Sequence, residues 1–191
     1  GQAKVPYHED QPLMGRAVYE TSKSCQDLVA KSYHHNYDLP VVITRCCNLF
    51  GGGDLNFSRI IPNTIRNILN KKPPMIWSGA ENFIRELLYV EDAVDAYLSL
   101  AENIEITKGN AYNIGSGEKT TIGELVKKIL DLSSQDIDIE FRHRTFPEID
   151  DQYLDSSKIK SHIDWVAKTK LEDGLKKTIT YYENMFKNNI I

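Results

Sequence analysis

Hydrophobic and polar positions follow helical and strand-like spacings that alternate along the chain. Apolar residues recur at helical spacing from about residue 15 to 36, and the β-branched run Val41-Val42-Ile43-Thr44 follows, as expected of a strand covered on both faces. Further helices are predicted over 56–70, 92–103, 121–132 and 171–186, and further strands over 75–77, 85–90, 111–114 and 137–141. A helix followed at once by a buried strand is half of a βαβ unit, so the pattern predicts an α/β fold with a parallel sheet.

Two helix starts have local signals. Asp92 is a candidate N-cap for the third predicted helix, and Thr121 with Glu124 forms a capping box for the fourth. The inner face of the third helix is predicted to carry Ala93, Ala96, Tyr97, Leu100 and Ala101.

Composition and charge exclude several classes of protein. The 191 residues are 41% hydrophobic and 26% charged, which is ordinary for a globular protein and allows one or two domains. A net charge of −4 without basic runs argues against nucleic-acid binding. Membrane-length apolar segments and the apolar core of a signal peptide are absent, so we predict a cytoplasmic protein without membrane partners.

Three cysteines, Cys25, Cys46 and Cys47, are interpreted as reduced, packed thiols. Adjacent cysteines rarely bridge each other, and no metal-ligand spacing is present, so no metal is predicted.

The stretch Tyr19-Glu-Thr-Ser-Lys23 is the main chemical candidate. Residues four apart share one helix face, so the phenol and the ammonium can serve one site as an acid/base pair. Stabilising a phenolate near neutral pH requires about 4 kcal/mol, which a nearby cation helps to supply. By itself this spacing is also common on exposed helices.

Five motifs in a fixed order then change this interpretation. They are Tyr19-Glu-Thr-Ser-Lys23, Thr44-Arg-Cys-Cys-Asn-Leu-Phe-Gly51, Arg59-Ile-Ile-Pro62, Arg85-Glu-Leu-Leu-Tyr-Val-Glu-Asp92 and Tyr112-Asn-Ile-Gly115. The series resembles the extended short-chain dehydrogenase/reductase superfamily, in particular its NAD-dependent nucleotide-sugar epimerases and dehydratases. Over 144–158 the chain is more similar to dehydratases acting on cytidine-linked glucose than to those acting on thymidine-linked sugars.

The resemblance implies a catalytic pair and a substrate site. Tyr19 would be the acid/base, and Lys23 would assist it while binding the ribose of NAD, which is favoured over NADP. The substrate, a nucleotide-diphosphate sugar, would be bound by the following residues: Asn48 at the sugar, Arg59 and Arg85 at the diphosphate, Met75 and Trp77 at the base, and Asn113 at a phosphate or the base.

Each of these residues also has a structural interpretation. The two arginines could be surface ion-pair partners, Asn48 could satisfy a turn, and Trp77 could belong to the core. Arg45, at the end of a buried strand, is interpreted as structural.

The resemblance also implies that part of the enzyme lies outside the chain. Superfamily members hold the NAD pyrophosphate in a glycine-rich loop between the first strand and helix, and neither Gly51-Gly52-Gly53 nor Gly115-Ser116-Gly117 has that position. We therefore expect the C-terminal portion of a Rossmann-type NAD(P)-binding fold plus the smaller α/β substrate-binding lobe, from a protein of about 310–350 residues. Residues 1–48 and 87–115 would belong to the NAD-binding domain, and 49–86 and 116–191 to the substrate-binding domain.

The predicted activity is that of a nucleotide-sugar 4,6-dehydratase or epimerase, which forms a homodimer when full length and is inactive as this fragment. The fragment should also be poorly stable or associate through apolar surface. The alternative function is a non-catalytic module that binds nucleotide sugar or a protein on the same scaffold.

Overall fold

The computed structural model describes residues 4–15, 17–145, 148–188 and 190, which form a mixed α/β structure. In this part of the chain the helices are α1 Val18–Tyr37, α2 Ile60–Leu69, α3 Val90–Glu102, α4 Ile104–Thr107, α5 Ile122–Leu132, α6 Ser157–Ile163 and α7 Leu171–Lys187. The strands are β1 Ile43–Cys46, β2 Asn48–Phe50, β3 Met75–Trp77, β4 Ile84–Tyr89, β5 Ala111–Ile114, β6 Lys119–Thr121, β7 Glu140–Arg142 and β8 Asp151–Gln152.

Strand pairing is mostly parallel, as predicted. The pairs β1–β5, β2–β4 and β3–β7 are all parallel. The first half of β4 pairs with β8 in parallel and with β6 in antiparallel orientation, while Leu87 to Tyr89 pair with β2. The carboxyl end of β1 leads through Cys47 into β2, and the carboxyl end of β4 leads directly into α3.

Strand β4 lies between two buried clusters. Leu87 and Tyr89 pack into a cluster formed mainly by β2, α2, β3, α5 and α7. Leu88 points the other way, into a cluster that also contains Ala96, Tyr112 and Trp165. Successive side chains of a strand point to opposite faces, so this short run of apolar residues supports both cores.

Helix α1 differs from the other long helices because its apolar residues are largely exposed. Val18 is 89% exposed, Leu28 57% and Tyr33 50%. The buried residue of α1 is a charged one, Asp27, whose carboxylate pairs with Arg45 on β1. Helical periodicity correctly predicted this element, but the apolar stripe is not buried.

Several local predictions were confirmed and one was wrong. Strand β5 and the capping box of α5 occur as predicted, with Glu124 N–H donating to Thr121 Oγ1 and Thr121 N–H donating to Glu124. Asp92 does not cap α3, because the helix begins earlier and the N-cap residue is Tyr89. The Asp92 carboxylate instead accepts hydrogen bonds from the backbone N–H and hydroxyl of Thr169.

On the inner face of α3, Ala93, Ala96 and Leu100 are buried as predicted, whereas Tyr97 is 45% exposed and Ala101 is also exposed. The strand predicted over 137–141 is confined to Glu140–Arg142.

None of the helices in the described residues has the length and hydrophobicity that a membrane span requires.

Candidate functional site

One open cleft of about 1450 Å³ is lined by seven of the eight residues predicted to form the site. These are Tyr19, Lys23, Asn48, Arg59, Met75, Trp77 and Arg85. They come from α1, β2, the start of α2, β3 and β4, so the fold brings together residues that are up to 66 positions apart in the chain (85 − 19 = 66).

The Tyr19 and Lys23 side chains lie beside each other on α1. Lys23 Nζ is 5.7 Å from the centroid of the Tyr19 ring and donates to Gln26 Oε1 at 3.2 Å. The hydroxyls of Thr21 and Ser22 donate to backbone carbonyls of the same helix. With Tyr19 71% exposed, its phenol is accessible to a ligand in the cleft, and the Lys23 ammonium lies beside the Tyr19 ring.

An ion pair anchors this helix to the sheet one turn beyond Lys23. Arg45 Nε donates to Asp27 Oδ2 at 2.7 Å, and Arg45 Nη1 donates to the Glu9 carbonyl at 2.9 Å. Lys31 Nζ lies 3.4 Å from the other oxygen of Asp27. The structural interpretation of Arg45 is therefore confirmed.

Arg85 is buried in the wall of the cleft, with 8% of its surface exposed. Its Nη1 donates to the carbonyls of Ile84 and Asp150, and its Nη2 donates to the Ile149 carbonyl and to Glu148 Oε1 at 3.0 Å. Arg85 does form an ion pair, but its guanidinium is buried, so the interpretation of Arg85 as a surface residue is wrong.

A second arginine, Arg144, is in ion-pair range of the Glu148 carboxylate. Arg144 Nη1 is 3.6 Å from Glu148 Oε2, and the guanidinium carbons of Arg144 and Arg85 are 5.1 and 5.9 Å from the centroid of the Phe83 ring. Motif comparison left the role of this arginine open, because the residues after Arg144 depart from the dehydratase pattern.

The remaining lining residues have varied environments. Asn48 Nδ2 donates to Gln152 Oε1 at 3.4 Å, and Arg59, the N-cap residue of α2, pairs with Asp54 at 3.0 Å. Met75 and Trp77 are half-buried on β3, on either side of the buried Ile76.

Asn113 is not among the residues that line the cleft. It is 2% exposed, and its Nδ2 donates to the carbonyls of Tyr7 and Asp155. Its backbone N–H donates to Glu9 Oε1. The structure therefore gives this amide an internal role that ties the first residues to the segment before α6.

The motifs did not identify Cys46 and Tyr97, which also line the cleft. Their Sγ and Oη atoms are 3.4 Å apart, and burial raises the pKa of both groups. Thiol and phenol thus stay neutral at ordinary pH and offer a weakly polar wall. Tyr97 was missed as a lining residue because the sequence pattern placed it on the inner face of α3.

Among groups that could contact a cofactor, Lys23 offers an exposed ammonium. Protein groups lie against one glycine of each glycine turn: a Cβ at Gly52 would overlap the Tyr181 ring, and Gly117 N–H donates to the Glu86 carboxylate. A carboxylate repels phosphate, so the turn at Gly117 does not suit a pyrophosphate. The described residues contain no cluster of three or more His, Cys, Asp and Glu side chains that could hold a metal ion.

Comparisons with known proteins agree with the motifs. The family model described as GDP-mannose 4,6 dehydratase matches residues 1–178. The low-salt glycan biosynthesis protein Agl12 of Haloferax volcanii is 33% identical over 177 residues, which are 92% of this chain and 56% of that protein. A dTDP-glucose 4,6-dehydratase of Haemophilus influenzae is 33% identical over 190 residues, covering 93% of this chain and 53% of that protein.

Among solved structures, dTDP-glucose 4,6-dehydratase from Bacillus anthracis, in complex with NAD, superimposes with a TM-score of 0.87 at 28% identity. The superposition covers 97% of this chain and 58% of that one. The chain thus spans little more than half the length of these relatives.

Proposed function

Because the chain belongs to the GDP-mannose 4,6 dehydratase family of extended short-chain dehydrogenases/reductases, we propose that it carries half of the active site of an NAD-dependent nucleotide-sugar 4,6-dehydratase or epimerase. The observation that carries the proposal is the single cleft that gathers Tyr19, Lys23 and five candidate substrate residues from separate elements. A chance Tyr/Lys spacing on an exposed helix would not be expected to share a cleft with those residues.

In the proposed reaction the Tyr19 phenolate takes a proton from a sugar hydroxyl and becomes the neutral phenol, and Lys23 stabilises the phenolate before this transfer while it holds the nicotinamide ribose. NAD, when bound, supplies the hydride acceptor. The position of Lys23 Nζ, 5.7 Å from the Tyr19 ring, supports this division of roles. The weakly polar wall at Cys46 and Tyr97 adds no competing base.

The proposed substrate is a nucleotide-diphosphate sugar. Arg85 and Arg59 are assigned to the diphosphate, Asn48 to the sugar, and Met75 with Trp77 to the base. Two arginines that line one cleft suit a doubly charged ligand, since hydrogen bonds between a guanidinium and a phosphate oxygen are charge-assisted. Asn113 is left out of this assignment because its amide is buried and already paired.

The division into lobes is part of the proposal. The two buried clusters on either side of β4 support an NAD-binding domain at 1–48 and 87–115 and a substrate-binding domain at 49–86 and 116–191. Two pairs of residues depart from this division, because Leu87 and Tyr89 pack with the latter and Ile159 and Trp165 pack with the former. A homodimer and a cytoplasmic location remain predictions for the full-length protein.

A non-catalytic nucleotide-sugar-binding module is the second candidate function. The observation that favours it is that five of the seven candidate residues lining the cleft are assigned to the nucleotide sugar, whereas two, Tyr19 and Lys23, are assigned to catalysis and the cofactor. The two candidates differ in turnover, because only an enzyme needs the Tyr19 hydroxyl.

Replacing Tyr19 by Phe in the natural protein that contains this chain tests the proposal. Removing the acid/base hydroxyl should lower turnover by about 10²–10⁴-fold, the usual contribution of a positioned acid/base group. Binding of the nucleotide sugar, measured by calorimetry, should change by no more than a few-fold. Tyr33→Phe, on an exposed site of the same helix, is the matched control and should retain full activity. Normal turnover in Tyr19→Phe would show that Tyr19 is not the acid/base, whereas a wild-type protein that binds the nucleotide sugar without turning it over would favour the binding module.

A further inference from the structure

Glu148 places a carboxylate of the protein between two arginines at the wall of the cleft. Its Oε1 accepts from Arg85 Nη2 at 3.0 Å, and its Oε2 lies 3.6 Å from Arg144 Nη1. Glu148 also lines the cleft and is 35% exposed, so it can exchange with a ligand, whereas the Arg85 side chain is only 9% exposed.

The hydrogen bonds of Arg85 show which partner can be exchanged. Its two terminal nitrogens carry four N–H groups, and these have four acceptors. Three acceptors are backbone carbonyls, that of Ile84 on β4 and those of Ile149 and Asp150 just before β8. The Asp150 carbonyl also accepts from Ile84 N–H, next to the pairing of β4 with β8. The fourth is the Glu148 side chain, which can rotate away without unpairing a strand.

Arg144 adds an unsatisfied donor at the same place. Its Nη1 atom is buried and has no hydrogen-bond partner. At 3.6 Å from Glu148 Oε2 it is within ion-pair range but too far for a hydrogen bond. One carboxylate therefore completes the hydrogen bonding of Arg85 but leaves Arg144 Nη1 without a hydrogen bond, whereas a diphosphate has enough oxygens and charge to satisfy both.

We propose that Glu148 occupies the anion position between Arg85 and Arg144 in the ligand-free protein and is exchanged for the diphosphate of the substrate. This inference rests on the proposed function, since it concerns the same substrate site. Exchange of one anion for another never leaves the buried Arg85 unpaired, which would be costly. Glu148 thereby sets a threshold: a ligand must bring more charge and more acceptors than one carboxylate, so a diphosphate is preferred over a monophosphate.

Calorimetric titration of the natural protein that contains this chain, with dTDP, UDP and CDP and with the corresponding monophosphates, tests the exchange. Glu148→Gln keeps the size of the side chain and one acceptor oxygen but removes the competing charge. The variant should bind the best diphosphate with a Kd about tenfold lower than the wild type, on the scale of one charge-assisted hydrogen bond. Its preference for diphosphate over monophosphate should shrink at the same time.

Glu140→Gln is the matched control. Glu140 also pairs with an arginine, Arg142, and its loss changes the net charge equally, but it does not line the cleft. Its Kd values should stay within about twofold of the wild type, since an exposed ion pair contributes little. If Glu148→Gln does not melt cooperatively, Glu148→Ala removes the same charge and should act in the same direction.

Equal diphosphate affinity in the wild type and in Glu148→Gln overturns the exchange, and the proposed function then still stands on the Tyr19 experiment. Tighter binding in Glu148→Gln and Glu140→Gln alike would reduce the effect to net charge and also overturn it. If no diphosphate binds to any variant, the arginine pair is not an anion site and the inference fails as well.

Discussion

At Gly174, helix propensity and packing make opposite demands. The residue lies in the first turns of α7, where Ala would ordinarily stabilise a helix by about 1 kcal/mol. A Cβ at this position would lie 2.7 Å from Phe50 Cζ and 3.0 Å from Tyr89 Cδ2, both in the buried cluster. Glycine therefore allows α7 to approach the sheet closely.

We expect Gly174→Ala to destabilise the protein by about 1–3 kcal/mol, because rigid rings on two strands must move to admit a methyl group. Urea denaturation followed by circular dichroism measures the difference. Thr180→Ala, an exposed position on the same helix, should be neutral or slightly stabilising. A stabilised Gly174→Ala variant would mean that the helix is free to shift away from β2 and β4.

In the candidate site, the sequence motifs identified several candidate functional residues but not the residues that pair with them. Tyr19, Lys23 and Arg85 could be proposed from motifs, because residue type and spacing carry that information. Their partners could not: Glu148 lies 63 positions from Arg85, and nothing in its polar surroundings marks it as a ligand of a buried arginine. For Asn113 the motif was misleading: its position suggested a contact with a ligand, but the side chain is buried and its amide donates to two backbone carbonyls.

Among the elements, long helices and apolar strands were predictable and short polar strands were not. Helices α5 and α7 lie within one or two residues of their predicted bounds because many side chains share one period. Strands β6 and β8 contain three and two residues, too few for any period to emerge, and they exist because β4 offers them hydrogen bonds. Helix α6 was missed in a polar, irregular stretch for a similar reason.

Helix α6 supports a prediction about acid stability. Asp155 Oδ1 accepts hydrogen bonds from the hydroxyl and the backbone N–H of Ser157, and these bonds lower the pKa of Asp155. A depressed carboxyl pKa contributes stability above the unfolded value of about 3.9, and this contribution is lost as pH falls through the folded value. Asp155→Asn should therefore cost about 1–2 kcal/mol at neutral pH and progressively less below pH of about 4.

Urea midpoints at neutral pH and near pH 3 provide the measurement. Asp131→Asn, at an exposed position of α5, is the control and should track the wild type at both pH values. An Asp155→Asn penalty that is equal at both pH values would show that the ionised carboxylate is not what stabilises the start of α6.

The molecule as a whole leaves a large apolar area on two helices. Val18 and Tyr37 of α1 are 89% and 70% exposed, and Val94 and Leu98 of α3 are 52% and 59% exposed. Strand β1 pairs with β5 on one side, and no second neighbour lies beside it within the described part of the chain. Exposed apolar surface and an unpaired strand edge both promote association.

We expect the purified chain to associate reversibly, with a sedimentation coefficient that rises with concentration. Leu28→Lys, which places a charge on the exposed face of α1, should weaken this association. Leu55→Lys, an equally exposed apolar position in the loop before α2, should not. A monomer that melts cooperatively at every concentration would contradict the expectation.

The position of β4 between two cores also constrains how the gene can change in length. Arg85 faces the cleft, and its neighbour Glu86 faces the other way, where its carboxylate accepts the N–H groups of Gly117 and Leu154. Inserting or deleting one codon here would exchange the two faces, placing a carboxylate in the anion site and a guanidinium under the glycine turn. Homologous genes should therefore show substitutions but no single-residue gaps over 84–89, while gaps are tolerated in the exposed turn at 133–136.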